Sequence, residues 1–137
     1  MIGEMCKSPH LNEMINLKNQ KECFVYAEIG VLYGGSLIEQ MKSDKKCFFI
    51  GIPEVMNLLD DKKIDFLFID GDHSYQGVID DFMNYKDMIS DDGVLVFDNY
   101  KDPNWKDVET AVKDIIRDNN DYMIQNEFGH CCVISKK

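Results

Sequence analysis

Apolar residues in this chain fall into short, nearly unbroken runs, and between the runs they recur with helical spacing. The runs are Phe24–Ile29, Cys47–Ile52, Ile64–Ile69 and Val94–Phe97. Runs that are nearly continuous, with no in–out alternation, predict parallel strands covered on both faces. Leu11, Met14 and Ile15 follow Ser8-Pro9, a cap and a first-turn proline, and predict a leading helix over about residues 9–19. Leu37, Ile38 and Met41 mark a helix that Ser36 can cap. A broad apolar face made by Val78, Ile79, Phe82, Met83, Tyr85, Met88 and Ile89 predicts a helix from Tyr75 to about Ser90. Asp91-Asp92-Gly93 reads as a turn, and Trp105, Val108, Val112, Ile115 and Ile116 as a further helix. Residues 122–127 and 130–135 read as two strands of a closing hairpin around Phe128-Gly129. Strands alternating with helices predict an α/β fold. The expected form is a doubly wound, mostly parallel, Rossmann-like sheet of about six strands ending in an antiparallel hairpin. A single domain over residues 1–137 is expected, with the leading helix in 1–21 and the α/β core in 22–137.

The polar residues that end these runs carry the candidate chemistry. Ile64–Ile69 stops at Asp70-Gly71-Asp72-His73, and Val94–Phe97 stops at Asp98-Asn99. Neighbouring parallel strands lie about 4.8 Å apart, so Asp70, Asp98 and Asn99 can converge at the carboxyl edge of the sheet, where open α/β sheets bind ligands. Two carboxylates and an amide oxygen form a hard-oxygen set suited to Mg²⁺. Without a cation, two carboxylates this close repel, and one is expected to take up a proton. His73 is a candidate base for a substrate hydroxyl. The plainer alternatives are acids that cap the following helices and a histidine that bonds only locally. Glu28 precedes the turn containing Gly30 and Gly34, where backbone N–H groups can approach a cofactor at a helix start. Tyr33, Tyr75, Tyr100 and Trp105 are candidate pocket walls, and His10 and His130 read as structural, the latter in the last strand.

Composition narrows the partners. Asp and Glu number 25 against 15 Lys and Arg, a net charge of −10, which argues against nucleic acid or an anionic membrane as the main partner. No stretch reaches transmembrane length and no signal-peptide pattern opens the chain, so a cytoplasmic location is expected. The 5 cysteines lack metal-binding spacing and read as free buried thiols, with Cys131 and Cys132 on opposite faces of a strand.

The string Ile69-Asp70-Gly71-Asp72-His73-Ser74-Tyr75 resembles the small-molecule and sugar O-methyltransferase branch of the class I S-adenosylmethionine-dependent methyltransferases. Tyr26–Ser36 is similar to that branch's cofactor loop, and Asp92–Tyr100 to its apolar strand ending in Asp-Asp/Asn, with Asp92 in place of a glycine. The resemblance implies S-adenosylmethionine as cofactor, contacted by Glu28, Gly30, Tyr33, Gly34, Ser36, Asp72 and His73. It also implies Mg²⁺ held by Asp70, Asp98 and Asn99, a small-molecule or sugar acceptor, and His73 as base with Asp70 beside it. In one region the chain departs from that pattern. Where the family carries a ribose-binding acid after the second strand, this chain has Pro53, with Glu54 as the substitute. Residues 54–63 are too few for the helix, turn and strand that follow in the family. The third strand is therefore expected to be absent, with an apolar edge along 47–52 that a partner such as a second copy could cover.

Two functions of different class follow. One is a metal-assisted O-methyltransferase. The alternative is a non-catalytic member of the fold that has lost part of the cofactor pocket and serves as an interaction module. A nicotinamide-binding Rossmann protein fits the glycine pattern less well.

Overall fold

The computed structural model describes residues 11–20, 25–30, 48–52 and 63–137, with backbone alone at Leu11 and 48–52. The elements are α1 (Leu11–Gln20), β1 (Val25–Ile29), β2 (Phe48–Ile52), β3 (Ile64–Ile69), α2 (Tyr75–Tyr85), β4 (Ile89–Phe97), α3 (Lys106–Asp118), β5 (Tyr122–Phe128) and β6 (Cys131–Lys136). One six-stranded sheet runs in the order β2-β1-β3-β4-β6-β5. The first four strands are parallel, and β6 pairs antiparallel with both β4 and β5. The fold expected from the apolar runs is therefore the fold observed. Among the described residues β2 is the edge of the sheet; residues 53–62, where the family's third strand would begin, lie outside them, as do the side chains of β2.

Both faces of the sheet are buried, which is why the runs lack alternation. On one face Val25, Ala27, Leu67, Ile69, Leu95 and Cys132 pack with Val78 and Phe82 of α2 and Val108, Ala111, Val112 and Ile115 of α3. The α3 positions repeat at helical spacing and form one stripe. On the other face Tyr26, Phe66, Phe68, Val94, Val96, Cys131 and Val133 pack with Met14 of α1. Cys131 and Cys132 thus point to opposite faces, both buried and unbridged, as expected of successive strand positions.

Three local expectations are corrected. The helix expected to reach Ser90 ends at Tyr85; a 3₁₀ turn follows at Lys86–Met88, and β4 begins at Ile89. Asp91-Asp92-Gly93 is not a turn between elements but an irregular stretch within β4. Ile64 pairs with Ile89 and Phe66 already with Val94, so extra residues loop out of the β4 edge there. Asp91 and Asp92 are exposed in that bulge, while Gly93 is buried against the Ile64 carbonyl oxygen, which a Cβ would approach to 2.9 Å. His130 lies in the β5–β6 turn, just ahead of the last strand.

Candidate active site

The strand order reverses between β1 and β3. From β1 the chain goes out to β2 and returns on the other side, opening a crevice at the carboxyl ends of β1 and β3. Register then aligns the residues that end each strand. Ile29 pairs with Ile69 and Ile69 with Phe97, so Gly30, Asp70 and Asp98 follow in one row. Two backbone bonds extend the ladder through that row: Asp70 N–H to the Ile29 carbonyl at 3.1 Å, and Asp98 N–H to the Ile69 carbonyl at 3.0 Å.

The acids of this row feel one another. Burial pushes the Asp70 carboxyl up to about 6, and the Asp98 charge adds to the rise, while the His73 hydrogen bond pulls the other way. Glu28, two residues before Gly30, is only 3% exposed. Burial pushes its carboxyl up to about 7 against a 3.0 Å hydrogen bond donated by the Tyr26 hydroxyl, with Asp70 and Asp98 raising it further. Both carboxyls are thus held above the usual carboxylate range, first by burial and then by the neighbouring acids.

The raised Glu28 carboxyl, owed first to burial and then to Asp70 and Asp98, has a cost in stability with a definite sign. Between about pH 4.5 and 7 the unfolded chain ionises at Glu28 while the folded chain keeps its proton, so the folded state loses stability as pH rises through that window. Glu28→Gln removes the ionisation and keeps an acceptor for Tyr26. It is expected to stabilise the free protein above neutrality by about 3 kcal/mol, with little change at pH 4. Denaturant melts of both proteins across that range provide the check.

Asp70, His73 and Asn99 meet directly. The His73 Nε2 lies 3.1 Å from Asp70 Oδ1 and 2.7 Å from Asn99 Oδ1. The His73 ring stacks on Trp105, with centroids 4.6 Å apart and planes at 26°. Asn99 adopts a left-handed backbone (φ 61°), a conformation asparagine tolerates. Its own N–H donates to Asp98 Oδ1 at 2.9 Å, and the Cys131 thiol donates to the same oxygen at 3.6 Å. Asp98 is therefore close to the group but engaged by backbone and thiol. Among the described residues, no three His, Cys, Asp or Glu side chains gather as a metal-binding cluster. The expected oxygen set reaches three donors only with the amide of Asn99.

Asp72 makes a local contact, accepting from the Ser74 N–H at 2.9 Å, and Ser74 caps α2 by accepting from the Gly77 N–H at 3.1 Å. The cap is therefore Ser74, and Asp72 bonds one step ahead of it without capping the helix itself. Tyr75 leaves the site and donates to Asp114 Oδ2 on α3 at 2.8 Å. Tyr33, Gly34, Ser36 and Glu54 lie outside the described residues. An open cavity of about 490 Å³ adjoins His73, lined by Asp72, Ser74, Asn104, Trp105 and Lys106 among others.

Sequence reasoning did not single out Asp102, Asn104 or Asp81. Asp102 Oδ2 accepts from the Asn99 amide at 3.0 Å and lies 3.6 Å from His130 Nδ1. Asp81 turns a buried oxygen without a hydrogen-bond partner toward Gly71, and burial, then Asp72 and Asp80, push its carboxyl up to about 6. The one sequence signal for Asp81 is an acid three positions from Val78 on the apolar stripe of α2.

The chain is similar to known proteins in sequence and in fold. A family model described as "Methyltransferase domain" matches residues 38–100. An uncharacterized protein of Acanthamoeba polyphaga mimivirus is 32% identical over 149 residues, covering 80% of this chain and 67% of that protein. The chain belongs to the methyltransferase-domain family that this model describes. Solved structures of similar fold include a putative caffeoyl-CoA O-methyltransferase from Staphylococcus aureus (TM-score 0.70, 16% identity, 96% of this chain and 84% of that one). The O-methyltransferase TomG from Streptomyces achromogenes, solved with S-adenosylmethionine, has a TM-score of 0.67 at 12% identity, over 96% of this chain and 81% of that one. An O-methyltransferase from Bacillus cereus, solved with S-adenosylhomocysteine, gives 0.65 at 15% identity over 95% and 82%. Among the described residues of this methyltransferase domain, no helix is long and apolar enough to cross a membrane.

Proposed function

We propose that this domain transfers a methyl group from S-adenosylmethionine to a hydroxyl of a small molecule or sugar, with His73 as the base. The observation that carries the reading is the His73 imidazole, held by Asp70 and Asn99 at the sheet edge and forming one wall of an open cavity. A cavity of about 490 Å³ suits a small acceptor better than a macromolecular one. A hydroxyl must lose its proton as its oxygen forms a bond to carbon, and a positioned imidazole is the group best matched to that transfer near neutrality. Asp70 faces the same ring and favours the imidazolium that results.

S-adenosylmethionine supplies the methyl group as an electrophilic sulfonium carbon when bound. The described residues fit it. Glu28, Asp70 and Asp98 make the crevice beside Gly30 strongly acidic, which favours a ligand carrying sulfonium and ammonium charges and lowers the carboxyl values that crowding raises. A divalent ion would be held by Asp70, Asp98 and Asn99 and would polarise the acceptor hydroxyl when bound. Its support is the donor chemistry and the same excess of negative charge.

Titration calorimetry with S-adenosylhomocysteine, with and without Mg²⁺, tests the reading. Binding with Kd below about 1 mM is expected. No heat at millimolar ligand would sink the enzyme reading and favour the non-catalytic interaction module. Affinity that is indifferent to Mg²⁺ in both the native protein and Asp70→Ala would remove the metal from the proposal and leave the cofactor.

A further inference from the structure

The fold does not account for every charge around the cavity beside His73. Cations are few in this acidic chain, and the described ones are nearly all engaged. Lys86, Lys101, Lys113, Arg117 and Lys136 each pair with a carboxylate, and Lys63 donates to the Asp87 carbonyl at 2.7 Å. Lys18 is buried and also has a partner. Among the described residues, only Lys106 and Lys137 have no acceptor at their ammonium groups. Lys106 opens α3 and lines the cavity with His73 and Trp105. The acid one turn on, Glu109, is taken by Lys113 at 2.6 Å. A lysine at the first position of a helix also stands against the helix dipole, so helix stability does not explain it. The two acids of the same cavity are explained locally. Asp72 accepts from the Ser74 N–H at 2.9 Å, and Asp107 lies in the first turn of α3, where the dipole favours an acid.

We propose that Lys106 is a specificity-determining residue that selects an acceptor carrying a carboxylate as well as its hydroxyl. The inference rests on the reading of this cavity as the acceptor site. An anion entering beside Asp72 and Asp107 meets a repulsion that a neutral acceptor does not, and Lys106 is the group that offsets it. Trp105, next to Lys106 in the chain, is exposed and offers the same cavity an aromatic surface, so a ring-bearing acid can touch both residues.

The probes are para-hydroxybenzoate, its neutral amide and para-hydroxybenzylamine, which share ring and hydroxyl and differ in charge. Binding is followed by the fluorescence of Trp105, the one tryptophan in the sequence, with and without S-adenosylhomocysteine. The native protein is expected to bind the acid about fivefold more tightly than the amide, the upper range for an exposed ion pair, with the preference shrinking as salt rises. Lys106→Met keeps the side-chain stem. It is expected to bring the acid down to the affinity of the amide and to leave the amide unchanged. Lys106→Arg is expected to keep the preference. The side chain is exposed, so both variants are expected to fold. Equal affinity for acid and amide in the native protein, no binding of the acid at about 10 mM, or tighter binding of the amine would overturn the proposal. So would a preference that survives in Lys106→Met. S-adenosylhomocysteine affinity is expected to be unchanged in Lys106→Met; a fall matching that of the acid would assign Lys106 to the cofactor's own carboxylate and overturn the proposal as well. An acid preference in a protein that fails to bind S-adenosylhomocysteine defeats the methyl-transfer reading and leaves Lys106 as a carboxylate-binding group.

Discussion

Gly30→Ala is expected to abolish the native fold or lower its stability by more than about 4 kcal/mol. A Cβ at this position would stand 1.8 Å from the Asp70 carbonyl oxygen, 2.5 Å from its carbon and 3.1 Å from the Gly71 nitrogen. All three are main-chain atoms, so no side chain can swing aside. The backbone at Gly30 also has φ 80°, a region that penalises any L side chain by about 1–2 kcal/mol before contacts are counted. Relief would require β1 and β3 to separate at their carboxyl ends. That would break the 3.1 Å bond from the Asp70 N–H to the Ile29 carbonyl and pull Asp70 away from His73. Stability and site are therefore joined at one residue. Thermal and denaturant melts of Gly30→Ala, followed by far-ultraviolet circular dichroism, provide the check. A folded variant within about 1 kcal/mol of the native protein would show that the two strand ends do not approach as described.

The strand ends were legible because burial on two faces leaves a nearly unbroken apolar run until the sheet stops, with Asp65 the one polar interruption in β3. Ile64–Ile69 and Val94–Phe97 are such runs, and the acids after them fall in one row because parallel register carries the alignment across. The proximity of Asp70, His73 and Asn99 could thus be anticipated from two short stretches. The bulge in β4 could not. Asp-Asp-Gly is the composition of a turn, and only pairing with β3 shows that the chain stays in the sheet through it. The support behind the site was also hidden. Cys131 reaches Asp98 because β6 returns antiparallel beside β4, and Asp102 approaches His130 across the β5–β6 turn. Such contacts depend on how distant segments are brought together, which periodicity along the chain does not encode. Trp105 read as the first apolar position of a helix and a candidate pocket wall, and it stands at the cap just ahead of that helix. Its partner, His73, lies far back in sequence, so their stacking emerges only from the docking of α3 near the end of β3.

His73→Gln is expected to reduce the rate of methyl transfer by about 10²- to 10⁴-fold while leaving S-adenosylhomocysteine affinity nearly unchanged. The choice of glutamine isolates the chemistry. Its amide N–H can still donate to the Asp70 and Asn99 oxygens that now face Nε2, so both oxygens keep a partner. It has no nitrogen that can take a proton near neutrality, so the acceptor hydroxyl loses its base. The side chain of His73 is half-buried against an exposed Trp105, and glutamine is of similar size and keeps a donor, so the fold is expected to survive. His73→Ala would confuse the result, because it also leaves Asp70 facing Asp98 without the histidine that lowers its carboxyl value. The measurement is release of S-adenosylhomocysteine with a hydroxyl acceptor that the native protein turns over, alongside calorimetric affinity for the same product. Loss of rate with affinity retained assigns proton removal to the imidazole. Rate retained in a folded His73→Gln protein would move the base elsewhere and reduce His73 to a structural wall of the cavity. A fall in affinity matching the fall in rate would place His73 with the cofactor instead of the acceptor. The three results differ because the ring stands between the acid row at the strand ends and the open cavity under Trp105.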